Sequence, residues 1–226
     1  HAEVHEEIMP LSVIGPVMLE MAKSAKVPVV VHIDHGETVE YINRALNMGF
    51  TSVMYDGSVL SFAENVANTK LVVALAKRVG ASVEAEIGCM GKRETGSGSA
   101  GNGNDPEKIY TDPHQAKDFV DQTGIDALAC SFGTTHGVYL SKPKLDFSVV
   151  ENVRKIANIP VVMHGGSGVS REDFQTAIKK GVRKINYYTY MAMAGGETVA
   201  NQFQMGCIPV EKNGKKYKYC YSLVES

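Results

Sequence analysis

Between Val29 and Asn186 the chain repeats one pattern: a short β-branched apolar run, a polar or glycine-rich loop, then roughly 10–20 residues with helical spacing. The runs are Val29–Ile33, Ser52–Tyr55, Ser82–Ile87, Ala127–Phe132, Val161–His164 and Lys184–Tyr187, the last of them short. Helix starts are marked by Ser61-Phe62-Ala63-Glu64 and Ser170-Arg171-Glu172-Asp173, where a hydroxyl and an acid three residues on can satisfy orphan amides reciprocally. Gly80, Gly124 and Gly181 follow helical stretches as C-terminal caps do. Residues 1–27 hold one further helix, expected from Pro16 to Lys26, and no strand. Strict βα alternation predicts a parallel α/β fold. The polar chemistry then falls into register, because Asp34, His35, Asp56, Glu86, His136, Gly165 and Asn186 all lie at or just past a strand's C-terminal end. A doubly wound sheet concentrates its site at one switch point, whereas a (β/α)8 TIM barrel draws on every strand end. The pattern therefore predicts the barrel, with only six of the eight strand units recognisable.

Composition narrows the class. The 226 residues are 44% hydrophobic and 21% charged, which suits one globular domain with a sizeable core. A net charge of −2 gives no global attraction for nucleic acid or membrane, so any anion site must be local. The acidic start His1-Ala2-Glu3-Val4-His5-Glu6-Glu7 does not read as a secretory signal, and a cytoplasmic protein is expected. Cys89, Cys130, Cys207 and Cys220 are widely spaced with no CxxC pair, so neither a disulfide framework nor a cysteine-rich zinc site is suggested. Two stretches depart from the repeat. Gly88–Asn104 carries six glycines in 17 residues and springs from the Glu86 strand, so it reads either as a plain surface loop or as a lid that closes over substrate. Val210–Tyr219 contains an Asn-Gly turn signal and reads as a hairpin.

His35, His136 and His164 stand at three strand ends, and in a barrel they converge. Three imidazoles with an open fourth position suit a catalytic zinc. Asp34 precedes His35, and strand alternation sends their side chains in different directions, one for a metal and the other for substrate or for support of a histidine. A carboxylate near a polarised carbonyl is placed for proton transfer. Asp56 and Glu86 are either oxygen ligands of a second or alternative metal position or structural hydrogen-bonding acids. Gly165-Gly166-Ser167-Gly168 lies between a strand and a helix, where backbone amides can approach an anion.

These residues also carry a family resemblance. Val31-His32-Ile33-Asp34-His35-Gly36, Gly133-Thr134-Thr135-His136-Gly137 and His164-Gly165-Gly166-Ser167-Gly168 resemble, in that order, the class II zinc-dependent fructose-bisphosphate and tagatose-bisphosphate aldolases. So do Ser52-Val53-Met54-Tyr55-Asp56-Gly57-Ser58, Val83-Glu84-Ala85-Glu86-Ile87-Gly88 and Lys184-Ile185-Asn186, over about residues 1–203. The resemblance implies His35, His136 and His164 as ligands of a catalytic Zn2+. It implies Glu86 as a ligand in some states and Asp56 at a secondary site for a divalent or monovalent cation. Asp34 matches the catalytic acid/base, and Glu94 an acid that serves the enediolate of dihydroxyacetone phosphate. Gly137, Gly165, Gly166, Ser167, Asn186 and Thr189 match positions that bind that product. The implied reaction is reversible cleavage of a ketose 1,6-bisphosphate to dihydroxyacetone phosphate and glyceraldehyde 3-phosphate, by a homodimer or larger homo-oligomer acting on a small-molecule substrate.

The chain departs from the family in two places. Tyr188 stands where fructose-bisphosphate enzymes carry Asp and tagatose-bisphosphate enzymes Ala, so the preferred ketose is open. The family also has about two βα units ahead of the segment resembling residues 1–26, so the chain reads as shortened at its N-terminus, with an atypical tail over 204–226. A Schiff-base aldolase needs a buried strand lysine, and Lys184 is expected at the entering end of its strand. A metal-dependent hydrolase leaves the phosphate loops unexplained. An aldolase fold that binds metal or sugar phosphate without turning over is the main alternative.

Overall fold

The computed structural model describes residues 2–88, 110–137, 139, 143–204, 209–212 and 215–218. A helix α1 (Leu11–Ser24) precedes five βα units: β1 (His32–Gly36) and α2 (Val39–Met48), β2 (Ser52–Tyr55) and α3 (Phe62–Val79), β3 (Ser82–Ile87) and α4 (Pro113–Thr123), β4 (Ala127–Cys130) and α5 (Phe147–Ile156), β5 (Val161–Met163) and α6 (Arg171–Lys180). The strand β6 (Val182–Ile185) completes a six-stranded sheet in the order β1 to β6, every pair parallel. These elements belong to a compact unit ending at Asn186; a second unit, Tyr187–Ser226, holds α7 (Thr189–Gln204) and an antiparallel pair, β7 (Pro209–Lys212) with β8 (Lys215–Lys218). No helix among the described residues is long and apolar enough to cross a membrane.

The helix boundaries follow local chemistry. Ser61 and Glu64 close a capping box at the start of α3, and Ser170 accepts from the Asp173 N–H at the start of α6. Gly80 and Gly124 end α3 and α4 in the left-handed conformation at φ 70°. Three expectations need correction. The last strand spans Val182–Ile185 rather than Lys184–Tyr187, so Lys184 lies inside it and not at its entering end. The helix α1 starts five residues before Pro16 and runs through it, because Pro10 caps it and the Glu6 carboxylate accepts the Leu11 N–H at 2.9 Å. The first strand begins at His32 rather than Val29: His32 pairs with Ser52, the first residue of β2, while Val29 and Val30 remain exposed.

Strand alternation divides the sheet into two faces. Ile33, Val53, Val83, Ala85, Leu128 and Val161 pack with the helices in the main core, whereas Met54, Ala129 and Val162 form a separate small cluster. On this second face lie the polar side chains, and they show that the sheet is curled. Its two edges, β1 and β6, would stand about 24 Å apart if five spacings of about 4.8 Å lay flat. Instead His32 Nε2 lies 3.2 Å from Lys184 Nζ, and Asp34 Oδ1 accepts from Asn186 Nδ2 at 2.9 Å. The fold is a TIM-like half-barrel of six parallel strands, its lumen lined by the second face and its rim formed by the C-terminal strand ends.

Candidate active site

The rim brings His35, His136 and His164 together, with ring centroids 4.7–5.6 Å apart and the planes steeply crossed. His164 follows β5 and is fully buried. His136 lies in the loop after β4, and His35 sits within β1 at φ 56°. That left-handed residue interrupts the β1–β2 register between Ile33 and Gly36 and corrects the alternation argument made above. A regular strand would turn Asp34 and His35 to opposite faces, but the irregularity sends both to the rim, with Asp34 Oδ1 3.8 Å from His35 Nε2. Left-handed backbone on a non-glycine residue is uncommon, and strain of this kind clusters at functional sites.

Carboxylates fix the orientation of the two inner rings. His35 Nδ1 donates to Asp56 Oδ2 at 2.7 Å, and His164 Nε2 donates to Glu84 Oε1 at 2.9 Å. An ionised carboxylate only accepts, so these outer nitrogens carry the protons. The inner nitrogens, His35 Nε2 and His164 Nδ1, then point their lone pairs at each other across 3.0 Å. A proton or a metal cation between the two nitrogens relieves such a contact. Four-coordinate zinc with nitrogen at 2.0–2.1 Å separates neighbouring ligand atoms by about 3.3 Å, close to this spacing. Donor atoms of His35, His136 and His164 all lie within 4.8 Å of one another, and so do those of His35, Asp56 and Glu86. The donor set therefore fits a zinc ion.

The acids take distinct places. Besides accepting from His35, Asp56 accepts from the Ser58 N–H and hydroxyl through Oδ1. Glu86 is buried, with Oε2 3.7 Å from His164 Nδ1. Burial pushes the Asp34 carboxyl up, but His164, His35 and His32 when protonated, together with the Lys184 ammonium, outweigh it and bring the pKa down to about 2, so the group is ionised at neutral pH. Gly165 and Gly166 follow β5 as the turn pattern predicts, but the Gly166 N–H is spent on the Asn186 carbonyl and the start of α6 is capped by Ser170 and Asp173. Ser167 is buried in that turn. Gly137, at φ 92°, follows His136. Thr189 opens α7 in the second unit, and Glu94 with most of the glycine-rich stretch lies outside the described residues.

The family model for class-II fructose-bisphosphate aldolase matches residues 2–225. The chain belongs to this family. It is 41% identical over 199 residues to a protein named only as YdjI from Escherichia coli K12, covering 88% of this chain and 70% of that one. The crystal structure of the YdjI aldolase superposes with a TM-score of 0.77 at 37% identity, covering 89% of this chain and 69% of that chain. Fructose-bisphosphate aldolase from Campylobacter jejuni superposes with a TM-score of 0.63 at 27% identity, over 82% of this chain and 58% of that chain. Aldolase chemistry, the making and breaking of a carbon–carbon bond, is the activity class that this membership supports.

Three residues of this aldolase-family site escaped the sequence reading. Glu84 lies two positions before Glu86 and so shares its strand face, a signal that the spacing alone carries. Tyr139 accepts the Thr135 N–H at 3.0 Å and donates to the Gly165 carbonyl at 2.8 Å, clamping the His136 loop to the glycine turn. No periodicity marks a loop tyrosine. His32, below Asp34 in the lumen, shares Ser52 and Lys184 as hydrogen-bond partners through its two nitrogens. Burial, reinforced by the Lys184 ammonium, pushes the His32 pKa down to about 4. Between pH 6.5 and 4 the unfolded chain therefore takes up a proton that the folded chain refuses. Stability should fall as pH drops through that window, by about 3 kcal/mol for a shift of this size. Urea midpoints of wild type and His32→Gln between pH 7 and 4 measure it, and the variant should lack this part of the loss; parallel curves would show that His32 titrates normally.

Proposed function

We propose that this chain catalyses the zinc-dependent, reversible cleavage of a ketose 1,6-bisphosphate, of fructose or tagatose type, to dihydroxyacetone phosphate and glyceraldehyde 3-phosphate. The observation that carries the proposal is the pair of facing imidazole lone pairs, His35 Nε2 and His164 Nδ1, with His136 beside them and Asp34 at the same rim. Held by His35, His136 and His164, zinc supplies a Lewis acid for the substrate ketone. Asp34 accepts the proton of the C4 hydroxyl as the C3–C4 bond breaks, and the bonding pair passes toward the carbonyl carbon while the aldehyde departs. Asn186 donates to Asp34 Oδ1 and so fixes which carboxylate oxygen is presented. Gly137, the Gly165–Ser167 turn and Asn186 are assigned to the dihydroxyacetone phosphate half. Glu94 is assigned the proton that restores C3, Glu86 a share of the metal, and Asp56 the orientation of His35 or a secondary cation. The product of cleavage is then released and the steps run in reverse for condensation.

The test is release of dihydroxyacetone phosphate from fructose and tagatose 1,6-bisphosphates, before and after chelation. Chelation should abolish release and added zinc restore it, while His136→Ala should lose zinc and turnover together. Chelator-insensitive release would overturn the metal mechanism. Zinc bound at one per chain with no release from either sugar would instead favour a binding role or a different ketose phosphate.

A further inference from the structure

Below the rim, five of the six strands contribute to one hydrogen-bonded chain across the lumen. Ser52 Oγ meets His32 Nδ1 at 2.8 Å, and His32 Nε2 meets Lys184 Nζ at 3.2 Å. Lys184 donates to Glu84 Oε2 at 2.7 Å, and the other oxygen of Glu84 accepts from His164 Nε2 at 2.9 Å. Glu84 is almost fully buried, so its two oxygens are divided between a cation from β6 and an imidazole from the β5 strand end. Resting on the zinc site proposed above, we propose that Glu84 and Lys184 are a positioning pair: Glu84 holds His164 in the Nε2–H tautomer, and Lys184 holds Glu84 in place, so that Nδ1 is presented to the metal.

The ring has a real alternative. Asn186 Nδ2 lies 3.2 Å from His164 Nε2 while donating to Asp34, and an amide N–H is a partner for an unprotonated Nε2. Only an acceptor at 2.9 Å on the other side makes Nε2 the protonated nitrogen, and an ionised carboxylate is the group that accepts without donating. The Lys184 ammonium favours that ionised form and crosses from one edge of the sheet to do so. Oriented carboxylate–histidine pairs of this kind tune ligand affinity, and their loss costs about 10–100-fold in metal binding.

The experiment uses the full chain as wild type, Glu84→Gln and the charge-balanced double variant Glu84→Gln/Lys184→Met, which leaves no unpaired buried charge. Two readouts are taken. Histidine 15N spectra of the metal-free protein should show a pyrrole-type Nε2 and pyridine-type Nδ1 for His164 in wild type, and loss of that preference in both variants. Zinc affinity by chelator competition should fall about 10–100-fold in both, with circular dichroism unchanged in the double variant. An unchanged tautomer, or zinc affinity of the folded double variant equal to wild type, overturns the proposal. If wild type itself fails to bind zinc, the metal-site reading fails instead, and the metal-free spectra still decide the role of Glu84.

Discussion

Asp34→Asn should lower kcat by about 10^2–10^4-fold, the span attributable to one general acid–base group, while zinc content and thermal stability stay close to wild type. The substitution keeps size and the oxygen that accepts from Asn186, and removes the charge and the proton affinity. Asp34 stands 3.8 Å from His35 Nε2 through its Oδ1, beside the proposed metal position without orienting either inner ring. Zinc should accordingly be retained, in contrast to His136→Ala. Steady-state release of dihydroxyacetone phosphate together with zinc analysis checks both halves. A variant that turns over at the wild-type rate would remove Asp34 as the base; one that loses zinc would make it part of the metal site.

Gly165→Ala should be a severely damaging single-methyl change at the rim. Gly165 lies at φ +64°, and an added Cβ would sit 2.2 Å from the Thr135 carbonyl oxygen and 2.7 Å from its carbon. The obstacle is backbone, so the loop carrying His136 must move away from the turn. Left-handed strain of about 1–2 kcal/mol combines with about 1–3 kcal/mol of overpacking. At about 2–4 °C per kcal/mol for a chain of this size, Tm should fall by roughly 4–20 °C. Zinc affinity should fall with it, because His136 is the next residue after Thr135. Gly80→Ala is the matched control: φ is +70° and an added Cβ meets nothing within 4 Å. Only the strain should register there, with zinc binding intact. Equal losses in the two variants would mean that the loop accommodates the methyl group freely.

Much of this architecture was legible because each βα unit is locally consistent. Ser61 with Glu64 announces α3, and the interior strands β2 and β3 begin and end where their apolar runs do. The edge strand β1 was misplaced by three residues, since Val29 and Val30 have β-branched character but no pairing on which to act. Within the site, the histidines were legible as strand-end residues, but their partners were not. That Asp56 receives the His35 proton depends on a 2.7 Å contact between side chains 21 residues apart, and no spacing rule encodes that. The joint arrival of Asp34 and His35 at the rim depends on one backbone angle. Glu84 is the opposite case: its place was readable from Glu86, but a buried glutamate beside a lysine on a distant strand acquires meaning only when the sheet curls.

The backbone at His35 sets stability against the placing of a ring. A left-handed histidine carries about 1–2 kcal/mol of strain that glycine would not, and the charge-assisted hydrogen bond to Asp56 is of similar size. The fold at position 35 asks for a conformation and not for an imidazole, so the strain there is what holds one ring at the rim, where a glycine would leave the strand intact and the ring cluster one nitrogen short.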